Sequence, residues 1–233
     1  MFEDVDAVSG ERLAREFKVK NKSCYNCNVH CSRYYLTGEV EAEGPEFETI
    51  ALLGSNLMID EISEVAYGNY VCDELGLDTI RNILKGLGHP QKKYACIHIA
   101  GTKGKGSTAA MVASILRHAG ARVGLYTSPH LHSFRERIQV AGQKITREEV
   151  IALVDEVRPL IERTPGVTTF AAITAIGFLY FARSGVDVAI VEVGLGGRLD
   201  ATNVLTPEVS VITSLSLDHT YLLGDTLAEI AYE

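Results

Sequence analysis

The second part of the chain, residues 81–233, reads as an α/β domain built on a doubly wound parallel sheet. Short β-branched apolar runs alternate with longer stretches of helical periodicity. A glycine and lysine loop stands between the first such run and the first helix, in the order that a phosphate loop requires. Two later runs, VDVAIVEV and PEVSVITS, are apolar at nearly every position. That is the texture of strands buried on both faces.

In chain order, residues 97–101 (IHIAG) form the first predicted strand, and residues 107–118 follow with apolar positions at helical spacing. Residues 121–128 suit a second buried strand, and residues 147–163 an amphipathic helix. Residues 169–184 make a mostly apolar helix, and residues 186–193 and 207–214 two more strands. Such an alternation puts helices on both sides of the sheet. Residues 1–80 differ: a cysteine cluster, an acidic, turn-rich stretch and a short helix predict a small, mostly irregular or helical segment. The expected division is therefore 1–80 and 81–233.

The 233 residues, 46% hydrophobic and 22% charged, have the balance of a globular chain and exclude disordered and fibrous classes. A net charge of -8 argues against a nucleic-acid partner held by bulk electrostatics. The opening MFEDVDAVSGERLAREF is neither a secretory signal nor a transit peptide, and no run reaches the ~18 apolar residues of a spanning helix. No membrane partner is expected, and the location expected is cytoplasmic. Five cysteines, three of them within residues 24–31, suit metal ligands in a reducing compartment better than a disulfide framework.

Gly101, Thr102, Lys103, Gly104, Lys105, Gly106, Ser107 and Thr108 form the candidate phosphate loop. Glycines let the backbone close around an anion, and the helix amino terminus supplies N–H groups. Lys105 is the candidate point charge for the β and γ phosphates of ATP, and Ser107 or Thr108 the hydroxyl for phosphate or Mg²⁺. The alternative is a flexible loop that only caps the helix. Glu192 stands near the carboxyl end of an apolar strand, where open sheets bind ligands, and is either a metal-holding acid or a strand-end surface carboxylate. Asp218 and His219 follow another strand, hence on the same edge; His219 is either a metal ligand or a loop histidine with ordinary partners.

Four segments occur in the order GTKGKGST, YTSPHLHSFRERI, VEVGLGGRLDATN and ITSLSLDHTYLLGDTLAEIAYE. Together they resemble the folylpolyglutamate and dihydrofolate synthases, a branch of the Mur-type ATP-dependent amide ligases. The resemblance implies that the carboxylate of dihydropteroate or folate takes the γ-phosphoryl group of ATP and that the amine of L-glutamate attacks the acyl phosphate. It further implies that Lys105 and its loop hold the nucleotide, that Ser128 and Glu192 hold one Mg²⁺, and that Glu192 and His219 contact a second. Lys105, Glu192 and His219 are then the catalytic set, and Thr168, Thr169, Phe170 and Leu199 line the pterin site. On the residues alone, Ser128 is equally a turn residue before Pro129, and 168–170 equally a helix cap and core. The family's pterin segment ends Phe-Glu, whereas here Phe170 is followed by Ala171. The family also continues with a metal-supporting lysine, further strands and a glutamate-binding domain. The expectation is therefore an incomplete sheet and a chain inactive alone.

Cys24, Cys27 and Cys31 have a spacing that brings three thiolates to one metal or iron–sulfur cluster; chance clustering of buried thiols is the alternative. With EAEGPEFETIALLGSN and the Asp-x-x-Gly-Leu-Asp run from Asp73 to Asp78, they resemble a slice of the tungstopterin-dependent aldehyde ferredoxin oxidoreductases over residues 12–80. That resemblance implies three of four cluster ligands and a pterin contact, an incomplete cluster remnant, with Cys72 not at the fourth ligand's place. It supplies the alternative function, a fragment of a redox enzyme, and places an apparent fusion near residues 75–81.

Overall fold

The computed structural model describes residues 76–233, which form one compact unit beginning at Gly76. Cys24, Cys27, Cys31 and Cys72 lie outside the described residues. The unit opens with helix α1 (Asp78–Gly86), whose apolar Ile80, Ile83 and Leu84 recur at helical spacing and are all buried. This helix packs on two later helices of the same unit, so the segment GLDTIRNIL, where the two resemblances meet, is built into the α/β fold.

Strand β1 (Ala95–Ala100) leads through the glycine loop into helix α2 (Lys105–His118). Strand β2 (Val123–Tyr126), a hairpin of β3 (Ile138–Val140) and β4 (Gln143–Lys144), helices α3 (Arg147–Glu162) and α4 (Thr169–Arg183), and strand β5 (Val188–Glu192) follow. Strand β6 (Val209–Ile212) and two short helices, α5 (Thr220–Leu223) and α6 (Leu227–Tyr232), complete the unit.

The six strands lie in the order β4-β3-β2-β5-β1-β6. β2, β5, β1 and β6 are parallel, as expected, but β3 and β4 add an antiparallel margin. Their turn supplies the reason: Ala141 and Gly142 both take positive φ, of 52° and 80°, the backbone of a two-residue hairpin. Strands of three and two residues carry too little alternation to be read from sequence.

Period-two alternation sends the strand residues to two different layers. Ile99, Val123 and Ile190 meet Ala109 and Ala113 of α2 on one face. On the other, α4 lies close to β2 through reciprocal glycines. A Cβ on Gly124 would meet the Phe181 ring at 2.9 Å, and one on Gly177 the Tyr126 ring at 3.0 Å. Each glycine is thus the socket for the other element's aromatic ring. This two-layer clamp fixes the sheet, and all four parallel strands deliver their carboxyl ends to one edge. Among the described residues, no helix is long and apolar enough to cross a membrane.

Candidate active site

At that edge the loop after β1 is strapped by the segment after β6. Thr102 N donates to Ser214 O at 2.7 Å. Thr213 Oγ1 donates to Lys103 O at 2.7 Å, and Ser216 N to Thr102 Oγ1 at 3.1 Å. The strap leaves no room at Gly101: its φ is 128°, and a Cβ would come within 2.2 Å of Thr213 Oγ1. Gly104, at φ 83°, turns the chain into α2, and no side chain caps that helix. By contrast α3, α4 and α6 are each capped by a threonine, Thr146, Thr168 and Thr226. No N-cap side chain therefore takes the first-turn N–H groups of α2, an arrangement that leaves room for an anion.

Lys105 Nζ donates to Gly101 O at 2.9 Å, so the ammonium folds back over its own loop. It lines a cleft of about 210 Å³ with Gly101, Thr102, Asp218 and His219. The glycine turn 194–197 forms another wall. Glu192 lies beneath the amino terminus of α2, its carboxylate accepting from Ser128 N at 3.0 Å and from the Gly106 backbone. Burial pushes the Glu192 carboxyl up, against the pull of the Ser128 N–H, the Lys105 ammonium, the Gly106 N–H and Arg137. The structure thus brings Ser128 to Glu192, through the Ser128 backbone. His219, in a left-handed conformation at φ 47°, sits with Lys105 on the cleft. Its own N–H donates to Asp218 Oδ1 at 2.9 Å. Among the described residues no three His, Cys, Asp or Glu side chains gather as a preformed metal-ligand group.

Thr168 caps α4, its hydroxyl accepting from Ala171 N at 3.1 Å. Thr169 opens that helix half-buried, and Phe170 reaches the glycine turn: a Cβ on Gly194 would stand 2.6 Å from its ring. Leu199 is half-buried two residues beyond that turn.

The Mur ligase middle domain family matches residues 99–233, more than half of the chain. The chain belongs to the Mur ligase family. Among relatives of this chain, the probable bifunctional folylpolyglutamate synthase/dihydropteroate synthase of Haloferax volcanii is 49% identical over 160 residues, 67% of this chain and 19% of that protein. The dihydrofolate synthase/folylpolyglutamate synthase of Bacillus subtilis is 47% identical over 164 residues, 68% of this chain and 38% of its own. A solved FPGS–AMPPCP–folate complex superposes with a TM-score of 0.71 at 39% identity, covering 81% of this chain and 44% of that one. The chain spans less than half the length of these relatives. Residues 1–82 match a different family, aldehyde ferredoxin oxidoreductase, domains 2 and 3.

Sequence reasoning missed one group beside the glycine turn of this cleft, Asp200. It is buried and accepts from Leu195 N at 2.9 Å, Thr202 N at 2.9 Å, the Thr202 hydroxyl and the Gly194 backbone. The signal was an acid three residues after a glycine pair, too common a pattern to single out.

Proposed function

We propose that residues 76–233 are the nucleotide-binding part of an ATP-dependent ligase that joins glutamate to dihydropteroate or a folate through an acyl phosphate. The observation that carries this reading is the uncapped amino terminus of α2 opening beside Lys105 onto the cleft shared with His219. In this reading Lys105 leaves Gly101 O for the β and γ phosphates, and the loop N–H groups fix them. The acceptor carboxylate lies against the glycine turn, with Phe170 and Leu199 on its pterin side together with 168–169. Most of the rate gain then comes from alignment and charge neutralisation.

The residues present fit Mg²⁺. Ser128 and Glu192 offer hard oxygen donors, and the buried Glu192 carboxylate is a charge that a cation would compensate. Ser128 and Glu192 would hold one ion, with Glu192 and His219 on a second. When bound, the ions neutralise charge on the transferring phosphoryl group. Glu192 is kept in position for this by Ser128 N and Gly106.

Titration calorimetry of the full chain with Mg-ATP tests the assignment. Lys105→Ala is expected to abolish the binding heat; equal affinity in the variant and the parent would overturn the phosphate-loop reading.

We also infer that two segments of unlike descent meet near residues 75–81, supported by a match to one family over residues 1–82, a match to the other over 99–233, and a compact unit that begins at Gly76. A single long read of source DNA carrying both segments in one frame is the expected result; reads that part into separate loci would refute a genuine fusion.

A further inference from the structure

The segment that straps the phosphate loop also carries another part of the cleft. Strands β1 and β6 run parallel and pair as far as Ala100 and Ile212. Beyond that point the two chains part, because the loop after β1 turns into α2 while the segment after β6 runs on to Asp218 and His219. Side chains carry the pairing further. Thr213 N donates to Ala100 O at 3.0 Å, and its hydroxyl donates to Lys103 O at 2.7 Å. Lys103 and Ser214 make an isolated antiparallel bridge. Thr102 closes the arrangement. Its N–H donates to Ser214 O at 2.7 Å, and its hydroxyl donates to Ser216 O at 3.2 Å while accepting from Ser216 N at 3.1 Å.

Thr102 belongs to the candidate phosphate loop and stands on the wall of the cleft. Its amide and its hydroxyl carry one proton each, and both protons go to the backbone of 214–216. No donor of Thr102 is left for an anion. A hydroxyl that gives to the carbonyl and takes from the amide of one residue does the work of a strand partner, which a valine could not do and a serine could. Lys105 follows Thr102 by three residues and His219 follows Ser216 by three, and both line the same cleft. The threonine contacts thus lie at the root of both segments.

We propose that Thr102 and Thr213 are positioning residues that clip the phosphate loop to the segment after β6, so that Lys105 and His219 keep one spacing across the cleft. The functional consequence rests on the ATP and Mg²⁺ reading of that cleft; the clip is testable without a ligand. Lys105 and the loop beyond Thr102 meet the phosphates, and Thr102 sets the distance from them to the group placed on the metal.

The test uses the full chain. Thr102→Val keeps the shape of the side chain and removes the hydroxyl, and Thr102→Ser keeps the hydroxyl. Hydrogen exchange at the Ser216 amide reads the clip. Thr102→Val is expected to speed that exchange at least about tenfold while exchange in α4 stays unchanged, and Thr102→Ser is expected to keep most of the protection. Calorimetry with ATP, in one series with Mg²⁺ and in another with EDTA, separates positioning from phosphate contact. In Thr102→Val the Mg-ATP affinity is expected to fall about tenfold, the scale on which residues supporting a metal site act, and to recover in Thr102→Ser. The metal-free affinity is expected to stay at the parent's value. Equal losses with and without Mg²⁺ would make Thr102 a phosphate contact and overturn the proposal. Unchanged Ser216 exchange, unchanged Mg-ATP affinity, or an equal effect of valine and serine would overturn it too. If the parent binds no ATP in either series, the nucleotide reading falls and the exchange result still decides the clip. Should Thr102→Val fail to fold, Thr213→Val against Thr213→Ser makes the comparison from the β6 side, read at the Thr102 amide. Faster exchange in the valine variant alone supports the clip, and equal exchange overturns it.

Discussion

Two glycine-rich loops meet at the carboxyl edge of the sheet, and they are held in opposite ways. The loop 101–108 is strapped through Thr102 and the Lys103 carbonyl by the segment after β6, and the α2 that follows has no N-cap side chain, with only its Gly106 N–H given to the Glu192 carboxylate. The turn 194–197 has its leading N–H groups taken by the chain's own carboxylate, Asp200. In sequence both are glycine-rich, and only the loop 101–108 reads as an anion cradle. The difference teaches that glycine content makes a cradle possible, and prior commitment of the N–H groups decides whether a ligand gets it.

The sharpest way to break this comparison is Gly101→Ala. Its Cβ would collide with Thr213 in a left-handed backbone region, so the strap must shift, and Mg-ATP binding is expected to fall by more than about a hundredfold, by calorimetry. Near-parental affinity would show that the strap does not shape the loop. The corresponding change in the other loop, Gly194→Ala, drives a methyl between Phe170 and Asp200. A destabilisation of about 1–3 kcal/mol is expected in denaturant melts; a neutral result would mean that Phe170 swings away freely.

Proton linkage reads the buried His98 of β1, whose Nε2 lies 2.8 Å from Thr202 Oγ1. Burial lowers the His98 pKa to about 4 from the ordinary 6.5, so the fold holds it neutral. The sign follows: the unfolded chain takes up a proton below pH 6.5 and the folded chain does not, so this stability is present above pH 6.5 and is lost as pH falls toward 4. Between pH 7 and 5 the loss is on the order of 2 kcal/mol. The buried Asp200 and Glu192 carboxyls, pushed up by burial, act in the opposite sense over acidic pH. Subtracting the pH profile of His98→Gln isolates the histidine; superimposable profiles would show that His98 does not carry the linkage. The smallest effect is expected at Thr168. As the cap of α4, Thr168→Ala should cost about 1 kcal/mol with Thr168→Ser near neutral, while Mg-ATP affinity holds. A binding loss without a stability loss would place Thr168 in ligand contact.

Much of the fold was legible because its signals are local. The runs of β1, β2, β5 and β6 are apolar at successive positions, and α2, α3 and α4 show helical spacing, so their existence could be read and only their ends moved. The β3–β4 hairpin and the short α5 and α6 could not be read, since two to six residues hold less than two periods of any pattern. Within the site, Lys105 and its loop were legible because strand, glycines and helix must follow in order. His98 and Asp200 were not. A histidine inside an apolar strand and an acid after a turn acquire meaning only when Thr202, more than a hundred residues from His98, comes between them.

The resting place of Lys105 has a consequence for discrimination. Its ammonium already satisfies one donor on the neutral carbonyl of Gly101. A visitor that presents only another neutral oxygen exchanges like for like and gains almost nothing. A phosphate, with formal charge on its oxygens, makes the stronger bond that draws the side chain away. On the phosphate-loop reading, the loop would weigh newcomers by their charge before it could weigh them by their shape, and a bare nucleoside would be turned away by indifference rather than by collision.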